Sequence, residues 1–174
     1  VEIFVSLYYG NILNYNNKNH RDDERDRFII SKGHGSISMY PLLADLDFFD
    51  KEELNNVCTN GSFLGGIPDP IIPGYETVNG SLGHGLGVGA GMAVALKTKL
   101  KSQNIVVLTG DGELNEGSNW EAIMFASQHK LDNLTLIVDY NKVSMLDFSK
   151  NIINMSSLNK KFESFNWHVH EVED

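Results

Sequence analysis

The 174 residues carry 14 Lys and Arg against 23 Asp and Glu, a formal net charge of −9, which argues against a general nucleic-acid-binding surface. The length suits one domain that buries its own core, and an ordinary apolar share with 16 glycines fits an α/β domain rich in tight turns. Cys58 is the only cysteine, which excludes an internal disulfide and a thiolate metal cluster and makes a reducing cytoplasm the expected compartment.

Val1-Glu2-Ile3-Phe4-Val5 has no basic run and no long apolar stretch, so it reads neither as a signal peptide nor as a membrane span. Apolar spacing predicts a helix over Val1–Tyr9 with Gly10 as its C′ residue. Because the sequence opens inside a helix, it is expected to be a piece of a longer chain, cut at both ends. Asn11–Asn19 reads as a polar loop, and Arg21–Arg27, of mixed sign, as a solvated segment. Phe28-Ile29-Ile30-Ser31 reads as a short buried strand that runs into Lys32-Gly33-His34-Gly35. A histidine between two glycines at a strand end packs poorly in a core, so His34 is a candidate for chemistry. Lys32 either adds positive charge near phosphate or is a plain surface lysine.

Leu42, Leu43, Leu46 and Phe49 mark the buried side of a helix over Ser38–Phe49. Lys51–Cys58 reads as a second, short one, with Asp50 as N-cap and Glu53 completing a capping box. Asn60–Val78 is a long Gly/Pro loop, and loops of that length inside a compact domain are usually functional. Gly80-Ser81-Leu82-Gly83-His84-Gly85-Leu86-Gly87 opens a helix that runs to about Leu100. A helix N-terminus bare of side chains lets a ligand press against backbone N–H groups. Further in, Gly89, Ala90 and Gly91 permit close helix packing.

Ile105–Thr109 reads as a fully buried strand, Gly110-Asp111-Gly112 as the turn after it, and the following apolar segment as a helix. Leu134–Val138 reads as the next strand, closing on Asp139-Tyr140-Asn141. In a parallel βαβ unit the two strand ends lie side by side on one sheet edge. Asp111 and Asn141 then supply an anionic and a neutral oxygen, within about 5 Å of each other, which suits a hard divalent cation such as Mg2+. The glycines let N–H groups approach an anion, so a diphosphate bridged by Mg2+ is the natural occupant. Asp147–Asn154 reads as loop, Ser157–Phe165 as helix, and Trp167–Val172 alternates like a strand. His168 and His170 share one face of that strand. With no third ligand nearby, they read as solvated rather than as a metal pair.

The run GDGELNEGSNWEA, then FASQHKLDNL, then VDYN, resembles the transketolases, and most closely the N-terminal subunit of split, two-gene transketolases. A GDG followed by an Asn at the next strand end is similar to the thiamine diphosphate motif of that family. The resemblance implies an α/β fold of three layers, α/β/α around a mostly parallel sheet, with residues 1–174 forming a single diphosphate-binding domain. It implies thiamine diphosphate held through Mg2+ or Ca2+, with Asp111, Asn141 and the backbone carbonyl of Val143 as metal ligands. Gly80, Leu82, Gly110, Asp111, Gly112, Asn141 and His34 would line the cofactor. His34 would assist proton transfer at the substrate oxygen, and His84 would be a polar group near the cofactor. Glu116 and Glu121 match acidic positions at the subunit interface linked to cofactor activation; the other reading of Glu121 is a capping partner of Ser118.

The activity implied is a transferase that moves a two-carbon ketol unit from a ketose to an aldose. The glutamate that pairs with the aminopyrimidine ring belongs to a second domain absent from this sequence. A C-terminal transketolase-type subunit is therefore the expected partner, in a homodimer or heterotetramer acting on sugars or sugar phosphates. Two departures stand out. The family reads Gly-His-Pro where this sequence reads Gly66-Ile67-Pro68, and Lys142-Val143-Ser144 replaces a glycine-led turn. Ile67 cannot hydrogen-bond or move a proton. That leaves open another thiamine diphosphate-dependent lyase or synthase for an unusual sugar, or a non-catalytic interaction domain derived from such a subunit. The presence of both Asp111 and Asn141 argues against the last. A nicotinamide dinucleotide site fails for want of a G-x-G-x-x-G turn after a strand.

Overall fold

In the computed structural model, which describes residues 1–172, the apolar run after Asn104 becomes the central strand of a parallel sheet. Strand β2 (Ile105–Gly110) lies between β1 (Arg27–Ile30) and β3 (Leu134–Asp139), in the order β1-β2-β3. A parallel strand covered on both faces reads as a continuous apolar run rather than an alternating one, which is why Ile105–Leu108 has no polar positions. The register pairs Ile30 with Leu108 and Gly110 with Asp139, so all three carboxyl ends fall on one edge.

The described residues also form three 3-10 segments and six α-helices: α1 (Glu2–Tyr9), α2 (Tyr40–Asp45), α3 (Gly85–Thr98), α4 (Gly117–Gln128), α5 (Ser149–Ile152) and α6 (Leu158–Ser164). Alternate strand residues sort them into layers. Phe28, Ile30, Val106 and Leu108 pack with Phe4, Tyr8 and Leu43 of α1 and α2. Ile29, Ile105 and Val107 face the other way, onto Leu86, Ile123 and Phe162 of α3, α4 and α6. This is the three-layer α/β/α arrangement around a parallel sheet expected from sequence. Among the described residues no helix is long and apolar enough to cross a membrane.

Helix α3 lies close on the sheet because it has little side chain to hold it off. A Cβ added to Gly89 would sit 2.5 Å from Cγ2 of Val107. Val107 is fully buried and β-branched, so it has no free rotamer to retreat to. Gly89→Ala is expected to lower stability by about 1–3 kcal/mol through overpacking, despite roughly 1 kcal/mol gained in helix propensity. The check is the chemical denaturation midpoint; an unchanged or raised midpoint would mean that α3 shifts freely on the sheet.

Several local expectations are corrected. Gly10 has φ −75°, and Asn11, at φ 55°, makes the left-handed turn after α1, because an Asn side chain tolerates that region. The helix expected over Ser38–Phe49 is split: a 3-10 segment spans Gly33–Met39, and α2 ends at Asp45, two residues before Asp47 turns to φ 59°. Leu46 and Phe49 are only partly buried against the core. Lys51–Asn56 is a 3-10 helix, and the capping box is not formed. The Asp50 carboxylate accepts from the Glu52 N–H at 2.9 Å, and the Glu53 N–H donates to the Asp50 carbonyl.

Arg21–Arg27 is not simply solvated. Arg25 is buried and donates to Glu76, and Arg27 Nε lies 3.6 Å from the same carboxylate. The loop after Asn60 is anchored by fully buried Leu64 and Ile72, and the Tyr75 hydroxyl donates to the Ser36 carbonyl at 2.7 Å. The 147–154 segment contains α5 rather than loop alone. Residues 167–172 form no strand: the alternation is there, but among the described residues the stretch pairs with none of the three strands. Trp167 instead donates its indole N–H to the Ile123 carbonyl at 3.1 Å.

Candidate functional site

Four turns meet where the strands end. The first follows β1, where the Ser31 N–H donates to the Leu108 carbonyl at 2.8 Å. A Cβ on Gly33 would fall 2.2 Å from the Asn79 carbonyl oxygen, so only glycine allows this turn to lie against residues 79–80. The second turn leads into α3. Gly83 has φ +89°, and a Cβ there would lie 2.6 Å from both Glu116 Cβ and Ser118 Oγ. The Ser118 hydroxyl donates to the Gly83 carbonyl at 2.8 Å, and the Gly85 N–H donates to Ser31 Oγ at 3.1 Å.

The third turn is Gly110-Asp111-Gly112. Asp111 is 3% exposed; its N–H donates to the Asp139 carbonyl at 3.2 Å, and its Oδ2 accepts from the Ser149 hydroxyl at 2.8 Å. The fourth turn leaves β3. Here Asn141 Oδ1 accepts from the Val143 N–H at 2.9 Å, Lys142 takes φ 63°, and Val143 bridges to Phe148. Asp111 and Asn141 thus follow neighbouring parallel strands at the same sheet edge. Lys32, from the first turn, reaches across and forms an ion pair with Asp139.

Sequence reasoning missed Glu113. It is 2% exposed. Its Oε1 accepts from the Ser31 hydroxyl and, at 2.8 Å, from the Gly83 N–H, and its Oε2 accepts from the Gly110 N–H at 3.3 Å. The one available signal was a carboxylate placed between a glycine turn and a buried leucine, where a solvated side chain has no room.

The other sequence-derived residues lie around these turns without locking into them. His34 is exposed at the second position of the 3-10 segment, and His84 is the exposed N-cap residue of α3, whose carbonyl accepts from the Val88 N–H. Glu116 is the exposed N-cap residue of α4 and makes no capping bond. Glu121 is exposed, and because Ser118 lies inside α4, whose N-cap is Glu116, the alternative Ser118–Glu121 cap is not made. Leu82 is half-buried. Gly80 is exposed, with Ile67 Cδ1 3.6 Å from where its Cβ would be, so the isoleucine overhangs the second turn. His168 and His170 are exposed with rings 4.5 Å apart, and no group of three or more His, Cys, Asp or Glu gathers among the described residues.

The residues present fit a divalent cation and an anion. A carboxylate as buried as Asp111 needs compensation, and buried charges are paired or coordinate metals. Among the described residues Asp111 has one hydroxyl donor and no ion pair. Its oxygens, the Asn141 amide oxygen and the Val143 carbonyl are each hard donors of the kind Mg2+ takes. A Cβ on Gly110 or Gly87 would meet nothing within 4 Å, which leaves open space beside backbone at this edge.

The sequence profile described as "Transketolase, thiamine diphosphate binding domain" matches residues 2–174. The A subunit of the apulose-4-phosphate transketolase from Actinobacillus succinogenes is 45% identical over 172 residues, which is 98% of this chain and 62% of that protein. Human transketolase is 38% identical over 179 residues, 99% of this chain and 29% of the human enzyme. Among solved structures, transketolase from Leishmania mexicana superposes with a TM-score of 0.89 at 27% identity, covering 98% of this chain and 27% of that one. Transketolase from Campylobacter jejuni gives 0.85 at 33% identity, covering 93% and 27%. The chain spans less than two thirds of the length of each of these relatives. With the sheet edge, its glycine turns and these likenesses in agreement, the chain belongs to the transketolase family.

Proposed function

We propose that the chain is the diphosphate-binding subunit of a transketolase-type enzyme, a transferase that moves a two-carbon ketol unit from a ketose to an aldose with thiamine diphosphate and Mg2+. The observation that carries this reading is Asp111, a buried carboxylate that makes no ion pair among the described residues, set among glycine turns at the sheet edge. The cofactor, when bound, supplies the electron sink that lets a C–C bond break and re-form. The chain's own part is binding, orientation and proton movement. Asp111, Asn141 and the Val143 carbonyl would hold the metal, with Ca2+ as an alternative occupant. Gly110 and Gly112 give close backbone approach to the diphosphate, and Gly80 and Leu82 line the rest of the cofactor. His34, solvent-facing near the end of β1, moves a proton at the substrate oxygen. His84 adds a polar group at the start of α3.

The binding cleft is completed by a C-terminal transketolase-type subunit, which Glu116 and Glu121 on the open side of α4 would face. Relatives named as one subunit of a transketolase support that division. A homodimer or a heterotetramer in the cytoplasm fits this assembly. Ile67, overhanging Gly80, favours a donor other than a common sugar phosphate. The name of the Actinobacillus succinogenes relative puts apulose 4-phosphate first among donors to try.

The test is turnover by the full-length chain, alone and co-purified with its partner, against a panel of ketoses with an aldose acceptor. Ketol transfer should require partner, thiamine diphosphate and Mg2+ together. Steady transfer by the chain alone would refute the division of labour, and a complex that leaves every ketose untouched would refute the activity.

A further inference from the structure

We infer that Glu113 is a positioning residue whose buried carboxylate sets the spacing of the three glycine turns against which a diphosphate would rest. The inference rests on the cofactor reading above. The turns at Ser31–Gly35, Gly80–Gly85 and Gly110–Gly112 come from three distant parts of the chain. Among the described residues, no backbone–backbone hydrogen bond joins the second of them to either of the others. Side chains make the connection, and Glu113 touches all three: the Ser31 hydroxyl and the Gly83 N–H on Oε1, the Gly110 N–H on Oε2. Ser31 extends the link, since its oxygen accepts from the Gly85 N–H while its proton points to Glu113. Glu113 is itself held from behind, its carbonyl accepting from Asn119 Nδ2 at 2.7 Å.

No Lys or Arg pairs with Glu113 among the described residues. Its carboxylate is therefore held by two backbone N–H groups and one hydroxyl, and each of these belongs to a different turn. A surface acid or a simple cap would touch one element. A carboxylate has two acceptor oxygens and no donor, whereas a carboxamide has one of each. Glu113→Gln keeps the volume and can satisfy Ser31 and Gly83 with its single oxygen. Its NH2 then faces the Gly110 N–H, donor against donor, one residue from Asp111. The disturbance falls on the turn that carries the metal ligand.

The experiment uses the full-length protein with its partner subunit. It measures the thiamine diphosphate dissociation constant in excess Mg2+ by calorimetry, and the melting temperature without cofactor. Glu113→Gln should weaken cofactor binding roughly ten- to a hundredfold, the range expected for losing a charge-assisted contact, while the cofactor-free melting temperature falls by only a few degrees, the mismatch at Gly110 being offset by the loss of a buried charge. Ser31→Ala, which removes one donor, should weaken it less. The double variant should be no worse than Glu113→Gln, because both act in one network. A lowered melting temperature with unchanged affinity would make Glu113 merely structural and overturn the inference. If Glu113→Gln does not fold, Ser31→Ala decides: unchanged affinity there overturns it. Wild type that binds, with both variants binding equally well, removes the role of Glu113 alone. Wild type that fails to bind removes the cofactor reading and this inference with it.

Discussion

Asp111→Ala is expected to abolish Mg2+-dependent thiamine diphosphate binding, raising the dissociation constant about a hundredfold or more. The carboxylate is the only anion in the donor set at the sheet edge, and Asn141 and the Val143 carbonyl are neutral. Removing it leaves a divalent cation to be held by neutral oxygens and the diphosphate alone. The same site makes a second, opposite expectation without ligand. An almost fully buried carboxylate with one hydroxyl donor is costly to the empty protein. Asp111→Asn, which keeps the shape and drops the charge, should therefore leave the cofactor-free protein as stable as wild type or more so. Wild type should overtake it once cofactor and Mg2+ are added. Calorimetry and melting curves with and without ligand check both halves; unchanged cofactor affinity in Asp111→Ala would refute the metal-site reading.

The largest expected loss of stability lies elsewhere. Arg25 and Glu76 are 11% and 8% exposed in their side chains, and Arg25 Nε is already without an acceptor. Glu76→Ala strips the buried guanidinium of its counter-ion and removes the nearer partner of Arg27. The expected cost is about 3–5 kcal/mol, the usual range for breaking one side of a buried pair. Arg25→Met combined with Glu76→Leu should recover most of that, because an apolar pair of similar volume often matches a buried ion pair. The measurement is the denaturation midpoint. A loss below about 1 kcal/mol for Glu76→Ala would mean that the pair behaves as a solvated one. Glu76 also closes the long loop that carries Ile67, so its removal should loosen that loop as well as the core.

The sheet and its site edge were legible because they rest on patterns with a single outcome. A four-residue apolar run bounded by polar residues forms a strand, and Gly-Asp-Gly so soon after it has to be a turn at the strand end. What escaped was what depends on partners far away in sequence. Arg25 reads as a surface residue until Glu76, 51 positions on, is seen to meet it. Glu113 reads as one acid among several until Ser31 and Gly83 are found on its oxygens. The 167–172 stretch has the alternation of a strand, yet Trp167 and Val169 pack onto the core beside Ile123 and Phe162 without strand pairing. Helix ends were misplaced for a smaller reason: Asn11 and Asp47 accept left-handed backbone where glycine was the obvious choice.

The glycines of α3 bear on how the fold comes into being. Gly85, Gly87, Gly89 and Gly91 fall within its first half, and each is worth about 1 kcal/mol less than alanine in a helix. The segment has little helix of its own to offer an unfolded chain, and must wait for the sheet before it winds. Its first turn and the glycine loop ahead of it therefore come into existence only with the whole domain. Any ligand resting there binds the folded state and not the unfolded one, and adds its binding free energy to the fold by mass action. Ligand supply would then set how much of the protein a cell keeps, since the empty form spends more of its time open to proteolysis.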